Sequence, residues 1–357
     1  MSDLDLSKSP GADNLPARIL KTCAKELSVP LAHLFNSSFG SGVIPTLWTS
    51  VNMTPVHKGD NRELVESYKS ISLLPISTKC LERIAHKVIY THVSPYLSKW
   101  QHGFIEGRSC ETQLVLTHHQ WALALDEGRQ VDVAFLHFSK AFDRDSHPIL
   151  LRKLFSFGIS GPLLQWCESY LSHRQQRVVL DGVSSSWSEV SSAVPQGSLL
   201  GPLFFVLFIS DLPEAVLPGN AIALYADDCK SSRIIDSASD QNLFQEDLNN
   251  LHQWSSRNFK VFNVKKSKIM RITMKKQPFT SSFFLDNLVL EEVSEFRDLG
   301  ITTDRHLRWN LHIDKVVPIA NRMLGLYCTL VRSNLENCSL IWLKSWRKYR
   351  GGQLNLS

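Results

Sequence analysis

The sequence predicts an α+β fold in which a few buried strands are covered by amphipathic helices, and three observations carry that expectation. Ala221-Ile222-Ala223-Leu224-Tyr225 is a short uncharged run, the pattern of a strand buried on both faces, although so short a run also fits a buried helix segment. The segment from Val131 to Phe138 reads as a second strand and ends in a turn. Around these two lie stretches with apolar residues at helical spacing, at Lys79–Tyr90, Thr112–Glu127, 145–171 and Asn242–Trp254.

Composition bounds the class. A chain of 357 residues can hold two or three sub-domains around a substantial core. Its 43% hydrophobic and 20% charged residues exclude a disordered protein. A net charge of +5 permits a nucleic-acid partner without requiring one. The seven cysteines (23, 80, 110, 167, 229, 328 and 338) form no Cys-x-x-Cys and no zinc spacing. With no basic and apolar leader at the N-terminus, they are expected as reduced thiols in the cytoplasm or nucleus. The most apolar stretch, Leu199–Ile209, is interrupted by Gly201 and Pro202 and is too short to span a bilayer; it reads as a core helix.

Taken in order, Gly11-Ala12-Asp13-Asn14-Leu15-Pro16 is a turn that can cap a helix over Leu15–Leu27, whose stripe continues through Leu31, Leu34 and Phe35. Ile44–Trp48 leads into an extended run, Val51–Val56, and a turn at His57-Lys58-Gly59-Asp60. Lys79–Tyr90 sets Leu81, Ile84, Ala85 and Val88 at helical spacing, with Lys79, Arg83 and Lys87 on other faces. The next helix, Thr112–Glu127, ends near Gly128. Arg174–Leu180 enters a strand, and Asp181-Gly182 marks a hairpin turn. Asn242–Trp254 aligns Leu243, Phe244, Leu248, Leu251 and Trp254. Seven basic residues between Lys260 and Lys276 fit salt-sensitive phosphate binding; a solvated strand edge is the competing reading.

The chemistry centres on Asp227-Asp228. Two adjacent carboxylates at the mouth of a buried strand need a cationic partner. Mg²⁺, which takes one or two carboxylates plus substrate phosphates, is the natural candidate, and a solvated Asp-Asp turn is the bland alternative.

Tyr225-Ala226-Asp227-Asp228 resembles the catalytic hairpin of reverse transcriptases. From about Ser9 to Trp342, further segments resemble, in order, the polymerase region of non-LTR (LINE-type) retrotransposons of the jockey-like kind. The resemblance implies a right-hand polymerase with an antiparallel palm sheet packed on helices. Residues 1–10 would be a disordered lead, 11–130 the fingers and template-side segment, and 131–290 the palm with its catalytic hairpin. Residues 291–343 would form a primer grip and truncated thumb, and 344–357 a disordered tail. The implied reaction is attack of a DNA primer 3′-hydroxyl on a deoxynucleoside triphosphate (dNTP), directed by an RNA template. Mg²⁺, or Mn²⁺, would be held by Asp227 and Asp228, with no other small-molecule cofactor and no membrane.

The same resemblance assigns the remaining site residues. Lys58, at a strand end where a solvated turn Lys fits as well, would approach the triphosphate, as would Lys266 in Asn263-Val264-Lys265-Lys266-Ser267. Tyr68-Lys69-Ser70-Ile71-Ser72-Leu73 resembles Tyr-Arg-Pro-Ile-Ser-Leu, so Lys69 replaces a bidentate Arg by a point charge. Gln101-His102-Gly103-Phe104-Ile105-Glu106-Gly107-Arg108-Ser109 matches a template-side motif in which Gly103 and Arg108 would contact nucleic acid. Phe142 would lie beneath the incoming sugar, a core Phe being the alternative. In Ala193-Val194-Pro195-Gln196-Gly197-Ser198, Gln196 and Gly197 would line the nascent base pair, and Ser198 or Pro202 would open the helix that follows. Leu299 and Gly300 fall in a primer-grip hairpin.

One position departs from the pattern. The segment Leu136-His137-Phe138-Ser139-Lys140-Ala141-Phe142-Asp143 resembles Leu-Asp-Phe-Ser-Lys-Ala-Phe-Asp, whose first Asp binds both metal ions. Here that place is His137, and imidazole is a poor ligand for oxygen-preferring Mg²⁺. Asp132, five residues back, faces the other side of a regular strand and cannot substitute. The expectation is a polymerase with impaired chemistry; the alternatives are a non-catalytic nucleic-acid-binding remnant and a translated remnant without a role.

Overall fold

Strands and helices form where the apolar patterning places them, with shifted ends. The computed structural model describes residues 1–326 apart from 2–3, 8, 60, 140, 143–145 and 191–193, and describes Glu66 and Lys69 without their side chains. Residues 327–343 of the expected thumb and the tail 344–357 therefore lie outside the described residues, as do Lys140, Asp143 and Ala193.

Helices α1 (Ala17–Thr22) and α2 (Ala24–Ser41) precede strands β1 (Ser50–His57) and β2 (Tyr68–Leu73). Helices α3 (Ile76–Val93) and α4 (Cys110–Asp126) lead to β3 (Gln130–His137), then α5 (His147–Ser156) and α6 (Gly161–Leu171). Strands β4 (Arg174–Leu180), β5 (Val183–Ser184) and β6 (Ser188–Val190) follow. Next come α7 (Leu200–Phe208), β7 (Asn220–Tyr225), β8 (Asp228–Ile235) and α8 (Ala238–Arg257). Strands β9 (Lys268–Ile272), β10 (Phe284–Leu285), β11 (Leu288–Val289) and β12 (Glu291–Glu292) finish a first compact unit, Met1–Val293. A second unit starts at Ser294 and contains β13 (Glu295–Asp298), β14 (Ile301–Asp304) and α9 (Asn310–Leu326).

The sheet that carries the hairpin has the order β12-β9-β3-β8-β7. Its pairings are antiparallel except at the β12–β9 edge. β3 sits in the middle and is buried at every residue but His137. That burial takes in two polar side chains, Gln130 and Asp132, and leaves Asp132 Oδ2 without a hydrogen-bond partner. Gln130 Nε2 donates to Asp132 Oδ1 at 2.9 Å, and Asp132 Oδ1 lies 3.5 Å from Arg271 Nε. Helix α7 is buried at every position except Pro202, as an all-apolar helix requires. It meets Leu81 and Ile89 of α3, Leu150 of α5, Trp166 and Tyr170 of α6, and Phe244 and Leu248 of α8 in one hydrophobic core.

The second sheet has the order β2-β1-β4-β5, with β6 also on β4. Asp181 and Gly182, with φ of 49° and 81°, form the two-residue turn expected between β4 and β5.

Three local expectations are corrected. The helix expected over Leu15–Leu27 breaks at Cys23, which caps both α1 and α2. In α3 the inward row is Leu81, Ala85, Ile89 and Val93, spaced by four, whereas Ile84 and Val88 are rotated outward and are 45% and 54% exposed. Residues 145–171 divide into α5 and α6 at Gly158, whose φ of 84° ends the first helix. No helix among the described residues is long and apolar enough to cross a membrane.

Candidate functional site

Strand register builds the site. β7 and β8 are joined by Ala226 and Asp227 alone, with Tyr225 paired to Asp228. On the other side of β8, His137 at the end of β3 is paired to the same Asp228. Segments distant in sequence thus place three ionisable side chains together. His137 Nδ1 donates to Asp228 Oδ1 at 3.0 Å, and its Nε2 lies 3.9 Å from Asp227 Oδ2. The hydrogen bond to Asp228 holds His137 above the ordinary imidazole value of 6.5; burial opposes that shift, and the charges of Asp227 and Asp228 assist it.

A turn at Asn263–Ser267 brackets the same strand end. Asn263 N donates to His137 O at 2.7 Å, and His137 N donates to Ser267 Oγ at 3.4 Å. Lys266 in this turn is exposed, and its charge acts against the upward shift of His137 without reversing it. The other side of the hairpin is braced by Trp100–Gly103. Leu224 N donates to Trp100 O, and His102 N to Leu224 O, each at 2.9 Å. Gln101, 1% exposed, accepts from Ala226 N at 3.0 Å and from Gly103 N at 2.7 Å through Oε1.

Two glycines expected to admit nucleic acid lie close to backbone of the same chain. A Cβ on Gly103 would lie 2.2 Å from Ala226 N, so the space its hydrogen leaves is filled by the hairpin backbone. A Cβ on Gly197, whose φ is 113°, would lie 2.9 Å from Ser72 O of β2. The carbonyl of Gln196 accepts from Ser72 N at 2.8 Å, which docks this loop on β2. Ser198 Oγ accepts from Gly201 N at 2.8 Å and so opens α7 as expected.

Arg108, expected on the template side, directs Nη1 at Ser98 O (2.7 Å) and Gln101 O (2.6 Å) and shapes its own loop. Phe142 is half-buried, packed on Phe205 with centroids 4.6 Å apart. Lys58 is exposed at the end of β1. Lys69 pairs through its backbone with Val56 of β1, and its side chain lies outside the described residues. Leu299 and Gly300, with φ of 45° and 93°, make the two-residue turn of the β13–β14 hairpin in the second unit.

The basic run is less available than its sequence implies. Lys260 is buried and donates to Ala141 O, Arg271 is buried against Glu292 (2.9 Å), and Lys268 pairs with Glu291 (2.6 Å). Lys265, Lys266 and Lys276 remain exposed.

Two working residues escaped sequence reasoning. Gln101 was visible only as a motif letter, and Glu82 only as a polar residue inside a helix. Glu82 is buried, its carboxyl pushed up by burial. It accepts from Tyr170 Oη at 2.5 Å and from Leu199 N at 2.8 Å, beneath the Pro195–Ser198 loop. No local signal marks either residue, because the partners are 125 and 117 positions away in Gln101–Ala226 and Glu82–Leu199.

The donor set does not suit a pair of Mg²⁺ or Mn²⁺ ions. Between the two hairpin carboxylates stands an imidazole that donates to one of them, so the third acidic corner is absent. Among the described residues, no group of three or more His, Cys, Asp or Glu side chains is arranged to hold a metal ion.

Comparison with known proteins shows the family. Residues 56–303 match the family described as reverse transcriptase (RNA-dependent DNA polymerase). The chain is 32% identical over 331 residues to the RNA-directed DNA polymerase from mobile element jockey of Drosophila melanogaster, covering 88% of this chain and 35% of that protein. It is 31% identical over 329 residues to the probable RNA-directed DNA polymerase from transposon BS of the same species, covering 88% of this chain and 36% of that protein. The chain thus spans about a third of the length of these curated relatives. Among solved structures it is similar to apo telomerase from Candida tropicalis truncated from its C-terminal domain, with a TM-score of 0.51 at 10% identity. That alignment covers 80% of this chain and 59% of the telomerase chain.

Proposed function

The chain belongs to the reverse transcriptase family and has its right-hand polymerase fold, and from that premise we propose that it is the RNA-directed DNA polymerase domain of a retrotransposon whose catalytic step is impaired. The observation that carries this reading is the 3.0 Å hydrogen bond from His137 to Asp228. In relatives with an acid at that position, three carboxylates would face a pair of divalent ions. Here the imidazole supplies positive charge to the same carboxylates and offers no oxygen.

In this reading the first unit binds an RNA template paired with a DNA primer. The exposed Lys58 and Lys266, together with Lys69, would meet the triphosphate of the incoming nucleotide. Phe142 would sit under its sugar, and the loop of Gln196 and Gly197, fixed on β2, would form the floor beneath the nascent pair. The loop carrying Gly103 and Arg108 would support the template from behind, and the turn of Leu299 and Gly300 would bear on the primer. Asp227 and Asp228 keep the places of catalytic carboxylates. Loss of the third acid should lower extension by several kcal/mol, on the order of a thousandfold or more.

Non-catalytic nucleic-acid binding is a second reading, favoured by the same His137 contact, which offsets one of the two carboxylate charges while Lys265 and Lys266 stay exposed. Primer extension on poly(rA)/oligo(dT) with Mg²⁺ or Mn²⁺, comparing the chain with its His137→Asp variant, separates the two. Extension restored by the substitution supports an impaired polymerase. Equal or greater activity in the unaltered chain overturns the account of the defect. Steeply salt-dependent binding without extension by either chain supports the binding reading.

A further inference from the structure

Ala226 is the residue on which the hairpin turns. It precedes Asp227, is 7% exposed, and has a φ of 52°, a left-handed conformation that alanine adopts only when its surroundings hold it there. Its amide lies outside the β7–β8 ladder, so its N–H and C=O need partners from elsewhere in a buried setting.

One side chain supplies both. Gln101 Oε1 accepts from Ala226 N at 3.0 Å, and Gln101 Nε2 donates to Ala226 O at 3.3 Å. The same Oε1 accepts from Gly103 N at 2.7 Å, and Arg108 Nη1 holds the carbonyl of Gln101 at 2.6 Å. Gly103 lets this segment lie flat on Ala226, since a Cβ there would collide with the hairpin.

We propose that Gln101 is a positioning residue for the carboxylate pair: its carboxamide fixes the backbone of Ala226 and thereby the directions in which Asp227 and Asp228 project. Arg108 and Gly103 act behind it, the first by seating Gln101 and the second by allowing contact. The proposal deepens the polymerase reading and rests on it for its catalytic consequence; its geometric content stands apart from activity.

The test uses the full chain and two readouts. The first is amide hydrogen exchange in the chain and in Gln101→Met, which keeps the side-chain length and removes both polar atoms. Protection should fall about tenfold or more at Ala226 and Gly103, while Leu224, bonded to Trp100 O, keeps its protection. No change at Ala226, or an equal fall at Leu224, overturns the proposal. Gln101→Asn, which retracts the amide by one methylene, replaces the Met variant if that one does not fold.

The second readout is steady-state extension in the His137→Asp background. There Gln101→Met should lower kcat about tenfold with the dNTP KM changed by less than about twofold. A rise in KM with kcat unchanged overturns the proposal. If His137→Asp with Gln101 intact does not extend a primer at all, the polymerase reading fails, and hydrogen exchange alone decides the positioning.

Discussion

Replacing His137 by Asp is expected to destabilise the metal-free protein and make its stability depend on divalent ions. The substitution exchanges an imidazole 3.0 Å from Asp228 and 3.9 Å from Asp227 for a third carboxylate facing the same two. At such separations a charge pair is worth about 1 kcal/mol in a water-like dielectric and about 4 kcal/mol in a protein-like one. His137, Asp227 and Asp228 have side chains 34%, 29% and 46% exposed, so solvent screening favours the lower figure. Two attractions of about 1 kcal/mol turned into two repulsions of similar size then cost about 4 kcal/mol, a fall in Tm of roughly 4–8 °C.

The pH dependence should change with it. His137 is held above 6.5 in the folded state, so its contribution is complete below that value and disappears as pH rises through the raised folded value. His137→Asp should remove this slope. The assay is thermal unfolding of both chains across that pH range, in chelator and in millimolar Mg²⁺. Ion binding at about a hundred times Kd would return about 2.7 kcal/mol to the variant and little to the parent. A variant as stable as the parent in chelator, or one that Mg²⁺ does not stabilise, refutes the electrostatic account.

Gly103→Ala should cost about 1–3 kcal/mol by urea unfolding, because its Cβ would lie 2.2 Å from a backbone nitrogen that cannot swing aside; a neutral effect would show that the hairpin is loosely held. Glu82→Ala leaves Tyr170 Oη and Leu199 N without their acceptor in the core, a loss of about 2–5 kcal/mol measurable by the same method. Tyr170→Phe should cost less, since it removes one partner only. Burial pushes the Asp132 carboxyl up to about 6, so the stability it contributes is present below the ordinary 3.8 and is lost as pH rises through about 6. Asp132→Asn should therefore flatten the unfolding profile across that window, and an unaltered profile would refute it.

Much of the fold was legible because burial of continuous apolar runs leaves little choice. β3, β7 and α7 lie close to where Val131–Phe138, Ala221–Tyr225 and Leu199–Ile209 put them. The juxtaposition of His137 with Asp228 was expected only through resemblance to a known hairpin, since no spacing in the sequence brings those positions together. What stayed hidden was the direction of individual contacts. Gly103 and Gly197 announce close approach but not the approaching atom, which proved to be backbone of the same chain. Lys260 and Arg271 look like phosphate ligands in a basic run, yet both are buried, Lys260 against Ala141 O and Arg271 against Glu292. In α3, helical spacing alone could not rank Ile84 and Val88 below Ile89 and Val93, because the width of the buried face is set by neighbours that come much later in the chain.

The central place of β3 also governs when the molecule can assemble. Its partners are Asp228–Ile235 and Lys268–Ile272, so residues 130–137 leave the ribosome long before either neighbour exists. Until the first partner is made, an apolar ribbon with both edges open must be shielded from other nascent chains. Termination between the two partners would leave one edge of that ribbon bare, so fragments ending there should aggregate even though His137 and the Asp227–Asp228 turn have already been synthesised.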